Sequence, residues 1–183
     1  MKFDPIAYLK RYDHTIDKDG FITVNGNFDC NGFITVNGNF NFNCLVETKL
    51  PWKFKEVKGD FSCCYNKLTT LEGAPEIVNG DFDCSSNKLK TLKGAPNIVK
   101  GGFFCMYNQL TTLEDAPKIV ERGFDCCHNE LTTLKGSPKI VGNGFWCNNN
   151  KLKTLDYLPE KIGGKLYFND NPLPPEEIAL YNL

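Results

Sequence analysis

The sequence is short of the residues on which many functional sites depend. Its 183 residues include only two arginines, Arg11 and Arg122, two histidines and four serines, and the formal net charge is −1. This charge balance argues against a nucleic-acid partner, because such proteins neutralise phosphates with basic side chains. The scarcity of histidine and serine leaves no nucleophile–base pair in register, so we expect no catalytic residues, no enzyme activity and no cofactor.

Long apolar runs and a secretory leader are lacking as well. No stretch approaches the roughly 18 apolar residues that a transmembrane helix requires. The start, MKFDPIAYLKRYD, carries an acid at position 4 and has no uninterrupted apolar segment, so we expect neither a secretory signal nor a membrane partner. The nine cysteines are odd in number, and without a signal they are expected to be reduced thiols in a cytoplasm.

What the sequence has instead is a repeat of 21 residues. Each copy contains a Phe–x–Cys unit, an Asn, an L-T-T-L-like segment, and a Pro followed by Ile-Val. The Phe–x–Cys pairs are Phe61/Cys63, Phe82/Cys84, Phe103/Cys105, Phe124/Cys126 and Phe145/Cys147, and the last copy reads Leu166/Phe168. The asparagines are Asn66, Asn87, Asn108, Asn129, Asn150 and Asn171. A period of this length is typical of solenoid proteins.

The Phe–x–Cys unit predicts a short strand. Its period of two places Phe and Cys on one face and the residue between them on the other. One repeat cannot bury the Phe–Cys face alone, so we expect successive coils, one per repeat, to stack into a continuous ladder. The Asn after the strand can satisfy loop backbone groups, and Gly and Pro return the chain. The predicted fold is a parallel β-solenoid of about six coils with an irregular return side.

The repeats carry a resemblance to a known family. Leu166–Leu173 reads L-x-F-x-x-N-x-L and resembles a bacterial leucine-rich repeat of the short type. Internal copies such as LTTLEGAPEIVNGDFDCSSNKL resemble the Phe/Cys-variant leucine-rich repeats of small bacterial and bacteriophage proteins. The resemblance covers about 50–183 and implies a leucine-rich-repeat-like scaffold for partner proteins in the cytoplasm of a bacterial host cell. Phe and Cys replace Leu on the strand, so the packing should differ in detail.

The two ends of the solenoid need covers, because open coils expose their core. We divide the single domain into an N-terminal helical cap (1–19), a duplicated β-hairpin cap (20–49), the 21-residue repeats (50–173) and a C-terminal cap (174–183). Residues 5–14 have the apolar spacing of a short amphipathic helix. At the other end, PPEEI at 174–178 predicts a helix start, with Ile178 and Tyr181 over the last coil.

The N-terminal region contains two near-copies twelve residues apart, GFITVNGNFDCN and GFITVNGNFNFN. Each places Asn-Gly between two apolar segments, which predicts β-hairpins around Asn25-Gly26 and Asn37-Gly38. Whether the extra copy forms a genuine hairpin or partly loops out stays open. Phe40 lies one repeat before Phe61, so the second copy should lead into the first coil.

The cysteines suggest a metal or disulfide site, but their spacing favours packing. Neighbouring cysteines one coil apart share the spacing of every ladder position, and there is no C-x₂-C pair or histidine at ligand spacing. We therefore expect small buried side chains and no metal site. Cys64 and Cys127 differ, because strand parity directs them outward; whether these thiols are modified stays open.

Two acidic patterns also imitate functional motifs. DKDGFI, starting at Asp17, resembles part of a calcium loop but lacks the chelating Glu, so we interpret it as a turn. Asp60 and Asp81 should lie on adjacent coils with carboxyl groups roughly 5 Å apart, the separation of retaining glycosidases. Both are expected on an exposed strand entrance with no sugar-binding pocket, and we interpret them as solvated acids.

The outward face of the Phe–x–Cys sheet, here named the aromatic face and expected to be concave, carries the main functional indication. Its candidate partner-binding residues are Tyr65, Asp83, Phe104, Met106, Tyr107, Asp125, His128, Trp146 and Tyr167. Large aromatic residues and Met are what interface centres prefer. The alternative is that the aromatic rings only stack between coils and shield the sheet.

We expect a non-enzymatic module that binds another protein through the aromatic face. Phe104, Tyr107, Trp146 and Tyr167 would be anchors, with Asp83, Asp125 and His128 giving polar selectivity. The resemblance to bacteriophage proteins implies an inhibitor that blocks a bacterial host or defence protein by steric occlusion. Two alternatives remain: a structural homo-oligomer, and a glycan- or nucleotide-binding, or even hydrolytic, role of the same face.

Overall fold

Short strands, repeated once or twice per coil, make up most of the regular structure. The structure is a computed structural model and describes residues His14–Ile16, Phe21–Val24, Phe33–Val36, 39–41, 43, 48–50 and 54–181. Within these residues there are sixteen strands, β1 to β16, and one helix, α1, at Pro175–Ala179. Because α1 has five residues, the described part of the chain holds no helix able to cross a membrane.

The Phe–x–Cys units form a parallel seven-stranded sheet, as their pattern predicts. Its strands are β4 Phe40–Asn41, β6 Phe61–Ser62, β8 Phe82–Asp83, β10 Phe103–Phe104, β12 Phe124–Asp125, β14 Phe145–Trp146 and β16 Leu166–Tyr167. Each strand pairs with the strand one coil away, so Phe40 faces Phe61 and Phe145 faces Leu166. The parallel β-solenoid is confirmed.

A second sheet lies on the return side of each coil, where the repeat reads Ile-Val. Its nine strands are β1 His14–Ile16, β2 Phe21–Val24, β3 Phe33–Val36, β5 Phe54–Val57, β7 Ile77–Val78, β9 Ile98–Val99, β11 Ile119–Val120, β13 Ile140–Val141 and β15 Lys161–Ile162. All neighbours pair in parallel except β1 and β2. The Gly/Pro pattern of this segment predicts only a return of the chain, so the second sheet is an addition to the predicted fold.

The core fills the space between the two sheets. Phe and Cys from the first sheet, the two leucines of each L-x-x-L and Val from the second sheet are buried in every central coil. The buried Phe rings form a stack from Phe40 to Phe145, with neighbouring centroids 4.7 to 5.4 Å apart. Such apolar ladders are what stabilises coils that could not fold singly.

The buried asparagines connect each coil to the coil before it. Asn87 donates from Nδ2 to the carbonyl oxygens of Cys84 in its own coil and Cys63 in the preceding one, both at 3.0 Å. Its Oδ1 accepts from the backbone N–H of Leu68 at 2.9 Å. Asn108, Asn129 and Asn150 repeat this arrangement. The predicted role of the Asn ladder is confirmed, because it pairs backbone groups that no strand reaches.

The N-terminal region differs from the hairpin prediction. The two copies of FITV, β2 and β3, pair in parallel and in register, Phe21 with Phe33 and Val24 with Val36. Strand β2 already has β1 and β3 as neighbours, and β3 and β4 lie in different sheets, so neither FITV strand pairs as the predicted hairpins require. The turns themselves, Asn25-Gly26 and Asn37-Gly38, lie outside the described residues. Identical copies stack because a parallel ladder extends the solenoid instead of folding back.

The antiparallel pair of the described strands lies nearer the N-terminus, between β1 and β2, where His14 pairs with Val24. Residues 17–20 of the DKDGFI segment connect this pair but lie outside the described residues. The predicted helix at 5–14 also lies outside them, except for His14, which begins a strand.

At the opposite end, α1 begins at Pro175 with Glu176 and Glu177 in its first turn, as the sequence predicts. Glu177 accepts the backbone N–H of Leu155 at 2.7 Å, and Ile178 packs against the core. Tyr181 contacts Phe168 edge to face, with ring centroids 6.1 Å apart. The last coil is therefore covered by a short helix and one aromatic ring.

Candidate binding face

The seven-stranded sheet brings five of the nine predicted site residues into one row. Each is the residue after the buried Phe or Leu of its strand, and the strand register makes Asp83, Phe104, Asp125, Trp146 and Tyr167 successive neighbours. Adjacent parallel strands are about 4.8 Å apart, so the row is continuous. Tyr167 is exposed and the other four side chains are half-buried.

A second row lies where each strand ends, directly before the buried asparagines. Tyr65, Tyr107 and His128 have φ angles of 54°, 56° and 52°, in the left-handed region. All three are exposed, and Tyr65 retains 66% of its accessible surface. Met106, the residue before Tyr107, is half-buried. Bulky residues adopt this backbone unfavourably, so folding alone gives no reason for tyrosine here.

Aromatic rings on this face stack between neighbouring coils. The rings of Tyr107 and His128 have centroids 4.3 Å apart and planes 8° apart. Trp146 and Tyr167 stack with centroids 5.5 Å apart and planes 4° apart. The stacking that was considered as an alternative to binding is therefore present. It fixes the rings in flat, preorganised pairs and does not bury the outer tyrosines.

Two aromatic rings of this face, those of Phe104 and Trp146, lie directly against glycine residues. A Cβ at Gly102 would lie 2.6 Å from Cζ of Phe104, and one at Gly123 would lie 2.7 Å from Cζ3 of Trp146. Gly144 also lies under the indole, 2.7 Å from Cζ2 by the same measure. In these coils Gly precedes the buried Phe, whereas the other coils have Asn, Asp or Lys at this position. The exchange of a larger residue for Gly is the sequence signal for this close approach, and it is not among the features from which the aromatic face is predicted.

The acids of the first row have structural partners. Asp83 accepts the backbone N–H of Ser85 through Oδ1, and Asp125 accepts that of Cys127, both at 2.9 Å. Such side-chain turns end the strand and direct the chain into the left-handed residue that follows. One oxygen of each carboxylate is thus committed to the fold. The predicted polar selectivity of these acids therefore depends on the other oxygen.

The neighbouring acids Asp60 and Asp81 form a ladder of their own. Asp60 accepts the backbone N–H of Asp81 at 2.8 Å, and Asp81 accepts that of Gly102 at 2.7 Å. Each carboxylate therefore extends backbone pairing to the next coil. This use explains the acids without reference to a sugar substrate.

The in-register cysteines are buried thiols, as predicted. Cys63, Cys84, Cys105, Cys126 and Cys147 have no exposed surface and form no disulfides. Burial raises the pKa of the Cys105 thiol well above its usual value, and nearby Cys84 and Asp125 add to the rise. Within the described residues, no group of three or more His, Cys, Asp or Glu side chains is placed to hold a metal ion.

The prediction that Cys64 and Cys127 point outward is wrong. Each retains only 6% of its accessible surface. Strand parity no longer applies at these residues because the chain turns at the left-handed residue that follows. Cys127 donates from Sγ to Asn148 Oδ1 at 2.7 Å. Burial, followed by a hydrogen bond with Asp125, raises the pKa of the Cys127 thiol, which disfavours the reactive thiolate.

A groove of about 850 Å³ crosses the Gly/Asp-Ala-Pro segments of three coils, bordering the second sheet. Its lining combines Ala, Gly and Pro with charged side chains, among them Lys55, Glu76 and Lys118, and includes none of the nine predicted site residues.

No protein-family model, no curated protein and no solved structure matches the chain. The geometry of the aromatic face is therefore the basis on which a function can be assigned.

Proposed function

We propose that the chain is a non-enzymatic module that binds another protein through the aromatic face. The observation that carries this proposal is the pair Tyr65 and Tyr107, two exposed tyrosines at backbone positions that disfavour bulky side chains. The turn needs a left-handed residue in every coil, and other coils use Ser86, Asn149 or Asp170 there, so the bulky tyrosines are not required by the turn and point to a functional role. Tyrosine is among the residues that contribute most to interface affinity.

The surrounding residues support a rigid binding surface. Phe104 and Trp146 lie against glycines, and Tyr107 and Trp146 each stack on a neighbouring ring. A partner that binds such a face orders few side chains, so little conformational entropy is lost on association. Tyr65, Tyr107 and Tyr167 are the outer anchors, and Phe104 and Trp146 form the apolar floor between them.

A finer form of the proposal is an inhibitor that covers the active surface of a bacterial host or defence protein. Its support is the resemblance of the repeats to those of small bacteriophage proteins. The face itself supports only the coarser step, recognition of a protein surface by preorganised aromatic side chains.

The test is a capture experiment with matched tyrosine variants. Tyr65→Ser/Tyr107→Ser removes two anchors from the aromatic face. Tyr157→Ser is the control, since Tyr157 is 64% exposed and has a φ of 67°, but it lies at the turn where other coils have Gly73, Gly94 or Gly136. Each immobilised protein is incubated with bacterial lysates, and captured proteins are identified by mass spectrometry and then measured by calorimetry as purified partners.

The proposal predicts a partner that wild type and Tyr157→Ser bind equally and that the double variant binds at least tenfold more weakly. Equal binding by all three proteins would place the interface elsewhere. Circular dichroism of the double variant confirms that a loss of binding does not reflect a loss of fold.

A small-ligand role is the second candidate, and the Trp146–Tyr167 pair favours it, because the stacked rings present aromatic surface against which a sugar ring or a base can stack. A thermal-shift screen against glycans and nucleotides tests it. Stabilisation of the wild type that is lost in Trp146→Leu would support this candidate over the protein-binding role.

A further inference from the structure

The nine-stranded sheet carries an apolar stripe on its outer surface. Ile77, Ile98, Ile119 and Ile140 occupy equivalent positions on β7, β9, β11 and β13, while the Val after each is buried. Ile98, Ile119 and Ile140 remain 47%, 52% and 39% exposed. Adjacent exposed isoleucines add little to the core, and a contiguous apolar patch of this kind marks an interaction surface.

The stripe ends in opposite charges. Glu56 on β5 pairs in register with Ile77, and Lys161 on β15 pairs with Ile140. The column of residues just before the stripe is charged along most of its length. From the first coil to the last it reads Lys55, Glu76, Asn97, Lys118, Lys139 and Glu160. The two ends of the solenoid therefore carry opposite charges along both the stripe and the column.

We propose that this stripe is the interface of a homodimer, independent of the function proposed for the aromatic face. A twofold axis parallel to the strands, between β9 and β11, stacks the two sheets face to face with coil order reversed. Ile98 then lies on the partner's Ile119, and Glu56 faces the partner's Lys161. A twofold interface must be self-complementary, and this stripe satisfies that requirement.

The charged column just before the stripe favours the same twofold axis. In this arrangement Glu76 faces the partner's Lys139, and Lys55 faces the partner's Glu160. Lys139 and Glu160 pair within one chain at 3.5 Å, so the four side chains would form one alternating network. Moving the axis by half a coil would bring Glu76 against the partner's Glu160 if it passed through Ile119, and Lys55 against the partner's Lys139 if it passed through Ile98. Turning the axis along the solenoid would set Glu56 and Lys161 each against its own copy. Like charges facing each other oppose association, so one register is favoured.

The experiment is sedimentation velocity of the full chain over a wide range of concentration. Because the stripe is short, the dimer is expected to be weak, and samples run from roughly 5 μM to roughly 500 μM. Ile119→Lys puts two charges at the centre of the interface, and no dimer should form. Glu76→Lys should weaken dimerisation by about tenfold, and Glu76→Lys/Lys139→Glu should recover most of that loss.

The control variant is Tyr157→Ser, which lies at a different turn and should dimerise as the wild type does. Far-ultraviolet circular dichroism checks that each variant is folded. A wild type that stays monomeric throughout, a dimer that survives Ile119→Lys, or a double charge reversal no stronger than Glu76→Lys would each overturn the proposal.

Discussion

The side-chain amide of Asn108 donates from Nδ2 to the carbonyl oxygen of Cys84, one coil earlier, over 3.1 Å. The same nitrogen lies 3.1 Å from the carbonyl oxygen of Cys105, and Oδ1 accepts from the N–H of Leu89 at 3.0 Å. Asn108→Asp would turn a donor into an acceptor facing these oxygens. We expect the free energy of unfolding in urea to fall by about 3–5 kcal/mol. Asn97→Asp, on an exposed residue, is the control, and an equal loss there would contradict the assignment.

Ser85 differs from Asn108, because its buried hydroxyl group lacks a hydrogen bond. Its Oγ is the one buried side-chain oxygen or nitrogen among the described residues without a hydrogen-bond partner. Ser85→Ala removes an unsatisfied hydroxyl, so we expect the free energy of unfolding to rise by about 0.5–2 kcal/mol. Ser62 is the matched control, because its Oγ donates to Asn43 Oδ1 at 2.9 Å. Ser62→Ala should destabilise, and a Ser85→Ala protein that is less stable than wild type would refute the prediction.

The close contact of the indole with Gly144 predicts energetic coupling between Trp146 and Gly144. Gly144→Ala places a methyl group where the indole lies, so we expect a loss of about 1–3 kcal/mol from overpacking. In a Trp146→Ala background the same substitution should cost far less. A double-mutant cycle by urea unfolding measures the difference. Additive losses would show that the packing of the Trp146 ring does not depend on the lack of a side chain at Gly144.

The left-handed position of Tyr65 predicts a gain in stability when the side chain changes to one that tolerates it. Tyr65→Asn should raise the free energy of unfolding by about 0.5–1 kcal/mol, whereas Tyr65→Val, with a β-branched side chain, should lower it. Thermal unfolding distinguishes the two signs. If Tyr65→Asn also weakens partner capture, stability and binding oppose each other at this residue.

The buried thiols predict sensitivity to alkaline pH. Burial raises the pKa of the Cys147 thiol to about 12, and Asp125 adds to the rise. An unfolded thiol titrates near 8.5, so above that pH the unfolded state releases a proton that the folded state keeps. Stability is therefore retained below about pH 8.5 and falls as pH rises toward the folded pKa, by about 1.4 kcal/mol per pH unit for each such thiol.

Urea unfolding from about pH 8 to about pH 10.5 measures this slope. Cys147→Ala lowers the starting stability but should also flatten the slope by one thiol's share. A slope that is the same in the variant and the wild type would show that this thiol is not protected by the fold.

The coils could be predicted because their signal is local and repeated. Phe61 and Cys63 recur at the same spacing in five copies, and the Asn between strand and leucines has a role that hydrogen-bond requirements dictate. The second sheet could not be predicted in the same way. Its strands in the central coils are two residues long, Ile98–Val99 for example, and two residues are too few to show alternation.

The aromatic face was predicted in part. Alternation in Phe103–Phe104 correctly placed Phe104 outward, because strand parity is a backbone property. It failed at Cys127, where the strand has ended and a left-handed residue follows. The contact of Trp146 with Gly123 and the hydrogen bond that Cys127 Sγ donates to Asn148 Oδ1 join neighbouring coils, which one copy of the repeat does not reveal.

The charge pairs on the outside of the coils have a consequence for how this chain can change length. Glu72 pairs with Lys93, and Glu114 pairs with Lys135, over 3.1 Å and 2.8 Å. The sign of the charge at this position thus alternates from coil to coil, although the core is alike in the central coils. Removal of one coil would bring Glu72 beside Glu114, whereas removal of two coils would preserve the alternation. The surface charges therefore favour the gain or loss of two coils at a time over the gain or loss of one.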